Sequence, residues 1–276
     1  MTSSLPAVVT GPRVGAQRPP RLLLPSGPVD RSAGDDAIEL AASVGLVLDP
    51  WQEWIVREIL AERPDGYPAA SLALMLMPRQ NGKGAVLECL ELYWLFVAGL
   101  DYVVHSAHLA DTAAGHMGRL KGLVEGSYLA DVAQVYESNG KERIVYLRTG
   151  GTLAFSTRMK GSKRGRSPQR LVLDEALYLT DEQLAAMLPG LAAQSMDAAT
   201  APQLVVASSA PLPESAVLHR WRNMALAGGS PGMLHAEWGL DEGADPADRD
   251  GWYLANPGLG IRISEEHIAT MEFPVL

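Results

Sequence analysis

What the chain lacks narrows its chemistry first. It holds one cysteine, Cys89, in 276 residues, so neither a disulfide framework nor a multi-cysteine zinc site can be built. Cys89 falls inside a helical pattern and reads as a buried structural thiol. Positive charge is not in excess either. The formal net charge is −9, which argues against a protein that coats nucleic acid indiscriminately but leaves room for a local basic patch. No apolar run is long enough to span a membrane, and no charged-then-apolar leader pattern opens the sequence. An intracellular, reducing setting is the expectation. There is no internal repeat. With 47% hydrophobic and 20% charged residues, the length suits one large α/β domain or two small ones.

What is present centres on Leu72-Ala-Leu-Met-Leu-Met77 followed by Pro78-Arg79-Gln80-Asn81-Gly82-Lys83-Gly84-Ala85. An apolar run ends at a proline and a polar turn, and a helical pattern opens directly after Gly82-Lys83. Buried strand, tight turn and helix start is the build of a phosphate-binding loop. Consecutive N–H groups at a helix start converge on one spot, and the helix dipole favours an anion there. Gly82 lets the backbone approach the phosphates, and Lys83 supplies a mobile positive charge. Two departures from the usual pattern stand out. Met77 occupies the place of the first glycine, and Gly84 occupies the place of the Mg²⁺-binding hydroxyl.

Along the chain, residues 1–34 are rich in Pro and Arg and read as a mobile basic arm. Residues 36–44 suit a first helix. Asp49-Pro50 suits an N-cap and first helical position for a second, which stops near Pro64. After strand 72–77 and helix 85–98 come strand 102–106 and helix 109–124. Residues 143–148 and 152–156, separated by Thr149-Gly-Gly151, predict a hairpin. Residues 158–170 carry Arg158, Lys160, Lys163, Arg164, Arg166 and Arg170 with no acid among them. A solvated face, a DNA contact, or an Arg reaching a neighbouring subunit all fit that cluster. Apolar strands follow at 171–173 and 203–207, with Thr180 and Gln183 placed as a capping box between them. Residues 214–225 suit a helix, and the acidic stretch from 237 on is loosely patterned. Strands alternating with helices predict a mainly parallel sheet flanked by helices.

Strand 171–173 ends in Asp174-Glu175, two carboxylates where α/β sheets place ligands. In a nucleotide hydrolase such an Asp holds Mg²⁺, usually through water, and the Glu activates the attacking water. A strand-end acid pair that only caps the next turn is the other reading. Val205-Val-Ala-Ser208-Ser209-Ala210 ends a strand in small hydroxyl residues, which suit either a γ-phosphate sensor that couples to the next segment or a simple turn. Trp51 and Gln52 precede the loop. The Gln amide can read an adenine edge and Trp51 can offer a stacking face, whereas Trp54 reads as core.

Together these segments resemble the ATPase domain of the large terminase subunit, the DNA-packaging motor of tailed phages. The carriers are Pro78-Arg-Gln-Asn-Gly-Lys83, Leu171-Val-Leu-Asp-Glu-Ala176, Ser208-Ser-Ala210, Trp51-Gln52, and Trp252-Tyr-Leu-Ala-Asn-Pro-Gly-Leu-Gly260 with Ile263 and Glu265-Glu266. Arg79 in the loop matches this family's variant. The resemblance spans roughly residues 45–270 and implies an additional-strand P-loop fold, with 35–236 as the ATPase domain. Residues 237–276 would lead out toward a nuclease domain that this chain does not include, so nuclease activity is not expected from it. ATP with Mg²⁺ is the implied cofactor. Double-stranded DNA, the portal protein and the small terminase subunit are the implied partners. A homo-oligomeric ring, usually pentameric, would act in the host cytoplasm at the procapsid portal. Implied roles are Glu175, Lys83 and Arg79 in catalysis, Arg164 as an arginine acting in trans, Asp174 on the metal, and Ser208, Ser209 and Ala210 in coupling. Trp51, Gln52 and residues 78–85 would bind nucleotide. Another P-loop helicase or translocase fits the same nucleotide site, and so does a nucleotide-binding assembly module without hydrolysis.

Overall fold

The apolar runs line up side by side. The computed structural model describes residues 13–138, 140–158, 167–192 and 196–272. Among them, nine strands form one sheet: β1 (Arg21–Leu23), β2 (Leu72–Leu76), β3 (Tyr102–Ala107), β4 (Ala133–Tyr136), β5 (Arg143–Tyr146), β6 (Thr152–Thr157), β7 (Arg170–Asp174), β8 (Gln203–Ser208) and β9 (Met233–Glu237). Their order is β1-β9-β2-β8-β7-β3-β6-β5-β4. Strands β9 through β6 in that order run parallel, and β1, β5 and β4 pair antiparallel at the two edges. Strand β8 lies between β2, which feeds the loop, and β7, which carries the acid pair. This is the additional-strand P-loop arrangement.

The parallel strands read as unbroken apolar runs because both of their faces are buried. On one face Ala73, Met75, Val172, Val205 and Ala207 pack under helices α1 (Ser32–Ser43), α2 (Pro50–Ile59), α3 (Lys83–Phe96) and α4 (Ala110–Glu125). On the other, Leu74, Leu76, Leu171, Leu173, Leu204 and Val206 pack under α5 (Asp181–Ala192) and α6 (Ala216–Leu226). The period-two alternation divides each strand between the two layers. Cys89 is a buried free thiol on α3, and burial pushes its pKa up to about 12.

Two stretches differ from their sequence reading. Residues 13–34 are not a mobile arm. Arg21, Leu22 and Leu23 pair with Glu237, Ala236 and His235 as an edge strand, and Gln17 donates to Pro257 O at 2.9 Å. Strand β9 was masked by its polar residues, His235 and Glu237. Both are buried, and Glu237 accepts from Arg222 and Arg21, each at 2.8 Å. An acid can sit in a buried strand when two guanidinium groups meet it. The stretch beyond 237 also packs back on the domain through α7 (Arg249–Ala255), whose Trp252 joins Leu259 and Ile263 in a small apolar cluster.

Candidate functional site

Three strand ends and one helix start define the site. In the register of the sheet, Leu76 sits opposite Ser208, and Asp174 opposite Ala207. The loop leaving β2 therefore lies beside the acid pair leaving β7. Lys83, Gly84, Ala85, Asp174, Glu175 and Ser208 line a cleft of about 600 Å³, with Arg79, Gln80, Gly82 and Ser209 at its walls. Arg79 and Gln80 are exposed and Pro78 is half-buried; Ala210 is exposed just beyond the cleft.

The loop turns through left-handed backbone at Gln80 (φ 63) and at Gly82 (φ 94). A side chain on Gly82 would also meet Gln52 Nε2 at 2.7 Å, so only glycine fits there. Lys83 folds back on the loop, donating to Met77 O at 3.3 Å and Pro78 O at 3.2 Å. Burial lowers its pKa to about 8, with Asp174 and Glu175 resisting and Arg79 adding to the fall. A desolvated ammonium whose hydrogen bonds, among the described residues, go to two carbonyls is poised to take up an anion.

Asp174 accepts from the N–H of Glu175 at 2.8 Å. Glu175 itself has left-handed backbone (φ 52), a strained conformation for a non-glycine residue and a common mark of functional sites. Two neighbours hold it: Thr112 Oγ1 donates to its carboxylate at 3.1 Å, and Arg158 Nη2 donates to the carbonyls of both Asp174 and Glu175, at 2.5 and 2.9 Å. Burial lowers the Arg158 pKa to about 10, against the pull of the two acids. The Ser208 hydroxyl is fully buried and, among the described residues, has no hydrogen-bond partner. Buried hydroxyls are rarely left so, and a ligand or water in the cleft would satisfy it.

Several residues do work other than that expected of them. Trp51 is fully buried, packed edge-on against Trp238 with ring centroids 5.3 Å apart, so it offers no stacking face. Gln52 is also fully buried. Its Oε1 accepts from Asp49 N at 2.7 Å and its Nε2 donates to Gly82 O at 2.9 Å. It caps α2 and positions the loop rather than reading a base. Trp54, read as core, is half-buried, facing Trp238 and carrying Arg18 on its ring. Asn81 turns inward. Its Nδ2 donates to Arg79 O at 3.1 Å and to Asn256 Oδ1 at 2.9 Å, and its Oδ1 accepts from Gly258 N at 2.9 Å. Asn81 thus clips the loop to the 256–258 turn. Arg164 lies outside the described residues.

Thr112, Arg119 and Arg262 were not singled out by sequence reading, and Arg158 was read only as one of the basic cluster at 158–170. Thr112 and Arg119 come from α4, which the loop motif does not include. Arg262 stands at the rim, paired with Asp49.

No protein-family model matches the sequence, and no curated protein matches it. Solved structures do match the fold. The large terminase of bacteriophage HK97 superposes with a TM-score of 0.74 at 20% identity, over 86% of this chain and 50% of that one. The fold is that of the phage large terminases. An ATPase-domain mutant of the Thermus phage P74-26 large terminase follows, with a TM-score of 0.52 at 17% identity, over 78% of this chain and 87% of that one. The chain thus spans about half the length of the HK97 large terminase.

Proposed function

We propose that this chain is an ATPase motor domain of the terminase type, hydrolysing ATP to drive double-stranded DNA into a procapsid. The observation that carries the reading is the convergence of Lys83, Asp174, Glu175 and the unsatisfied Ser208 hydroxyl on one cleft at adjacent strand ends. Loop N–H groups and Lys83 would bind the phosphate tail, and Glu175 would take the proton of the attacking water. Asp174 would hold Mg²⁺ through water, with the phosphates completing its shell, as Mg²⁺ tolerates. When bound, the ion neutralises phosphate charge. The residues fit it without the direct hydroxyl ligand that Gly84 lacks.

ATP titration and phosphate release, with and without DNA, test the reading. Parent protein is expected to turn ATP over, and Lys83→Ala to lose ATP binding. Parental affinity in Lys83→Ala, or no turnover by assembled protein, would overturn it.

The natural assembly on this reading is a homo-oligomeric, usually pentameric ring at the portal protein in the host cytoplasm, with double-stranded DNA and the small terminase subunit as further partners. Arg164 would then reach the γ-phosphate of the neighbouring subunit, where an always-charged guanidinium suits the transition state. Uniform rings of Arg164→Ala and of Glu175→Ala are each expected to be inactive, and mixed rings to regain activity. Silence in mixed rings with confirmed subunit exchange would rule out action in trans.

A further inference from the structure

Helix α4 brings another cation to the phosphate loop. A Cβ built on Gly84 would lie 3.1 Å from Arg119 Nη2. The guanidinium therefore stands beside the position where other phosphate loops carry a hydroxyl. It lines the same cleft as Lys83, Asp174 and Glu175.

A buried carboxylate and a backbone carbonyl hold it in place. Its Nε donates to the Glu88 carboxylate and Nη1 to Gly115 O at 3.3 Å, while Nη2 lies 3.1 Å from His116 Nδ1. His116 Nε2 meets Glu91 Oε2 at 2.6 Å, and Glu91 Oε1 meets His105 Nδ1 at 2.7 Å. Glu88, Glu91, His105 and His116 are all buried, whereas the Arg119 side chain is 55% exposed. A guanidinium has five N–H groups. Nε is engaged by Glu88 and one Nη1 hydrogen by Gly115 O, so each terminal nitrogen keeps at least one N–H, which is the fork that phosphate oxygens accept.

We propose that Arg119 is a phosphate ligand of the nucleotide, placing its free N–H groups on non-bridging oxygens of the terminal phosphates. It supplies positive charge at the point where this loop has no hydroxyl to share a metal. The proposal rests on the nucleotide reading above and adds a binding residue to it. Arg119 is anchored by neighbouring acids yet aimed outward, so no large movement is needed to reach the ligand.

Equilibrium titration of the full chain with ATP, ADP and AMP tests it. Arg119→Ala is expected to bind ATP about ten- to a hundredfold more weakly, the usual weight of charged hydrogen bonds. AMP binding should stay within about twofold, since AMP lacks the oxygens concerned. Glu88→Gln removes the same ion pair but keeps the cation, and is expected to weaken ATP binding markedly less than Arg119→Ala does. Arg119→Gln replaces Arg119→Ala in the comparison if the smaller side chain prevents folding.

Parental ATP affinity in the Arg119 variant, alongside loss in Lys83→Ala, would overturn this proposal and leave the nucleotide reading standing. Equal weakening by the Arg119 variant and by Glu88→Gln would make the ion pair merely structural and overturn it too. Absence of ATP binding by the parent would overturn both readings.

Discussion

Glu175→Ala is expected to bind ATP as the parent does and to hydrolyse it about 10²–10⁴ times more slowly, the usual loss when a positioned base is removed. Binding should survive because the ground-state phosphates would meet the loop and Lys83, whereas Glu175 lines the cleft from the residue after β7. Alanine also keeps a Cβ, so the left-handed backbone at this position is no more relaxed than before. Arg158 still donates to the carbonyls of residues 174 and 175, which fixes the turn independently of the side chain. The variant therefore isolates the carboxylate. Phosphate release read beside ATP titration separates the two effects, and parental turnover would remove Glu175 from the mechanism.

Glu91→Ala is expected to destabilise the fold by about 3–5 kcal/mol, the range for breaking a buried charge pair from one side. Glu91 is wholly buried between His105 and His116, whose rings stack 4.0 Å apart at 12°. Removing it strands both imidazoles in the core. The same group gives stability a pH dependence. Burial by itself would raise the Glu91 pKa, but His116 and His105 more than reverse this and hold it at about 2, below the ordinary 4.5. A depressed carboxylate pKa contributes stability that is fully present above 4.5 and lost as pH falls toward 2. Glu237 acts in the same sense, held at about 2 although burial opposes it, by His235, Arg222 and Arg21. His116 acts oppositely. Burial lowers its pKa, Glu91 and Glu88 raise it further than that, and the stability it adds is lost as pH climbs past the raised value. Thermal melts across pH are expected to show a midpoint falling from pH 4.5 to 2, less steeply in Glu91→Gln. A midpoint flat over that interval would show that Glu91 is not ionised in the fold.

The parallel strands, the phosphate loop and the acid pair were legible because each is a local pattern: an apolar run, a glycine-lysine turn, a strand ending in carboxylates. Strand β9 was not, since His235 and Glu237 break the pattern, and only the distant Arg21 and Arg222 make them tolerable in a buried strand. The residue types at Trp51 and Gln52 suit nucleotide contact, yet packing against Trp238 and capping of α2 claim them first. Nothing near Arg119 in sequence marks it as part of the loop. Its place follows from α4 lying over α3 with Glu88 between them, a relation that only tertiary structure contains.

The clip at Asn81 has a consequence for the order in which the domain matures. The phosphate loop lies in the first third of the chain, yet Asn81 takes two of its partners from Asn256 and Gly258. The segment around Gly15 joins the same turn through Leu259 O at 2.8 Å. During synthesis from the N-terminus, the sheet can form while the loop still wants its last two hydrogen bonds. Nucleotide competence is thus expected to arrive late, only after residue 258 has left the ribosome. A nascent chain stopped short of that turn would hold the strands and the acid pair with an unclipped loop.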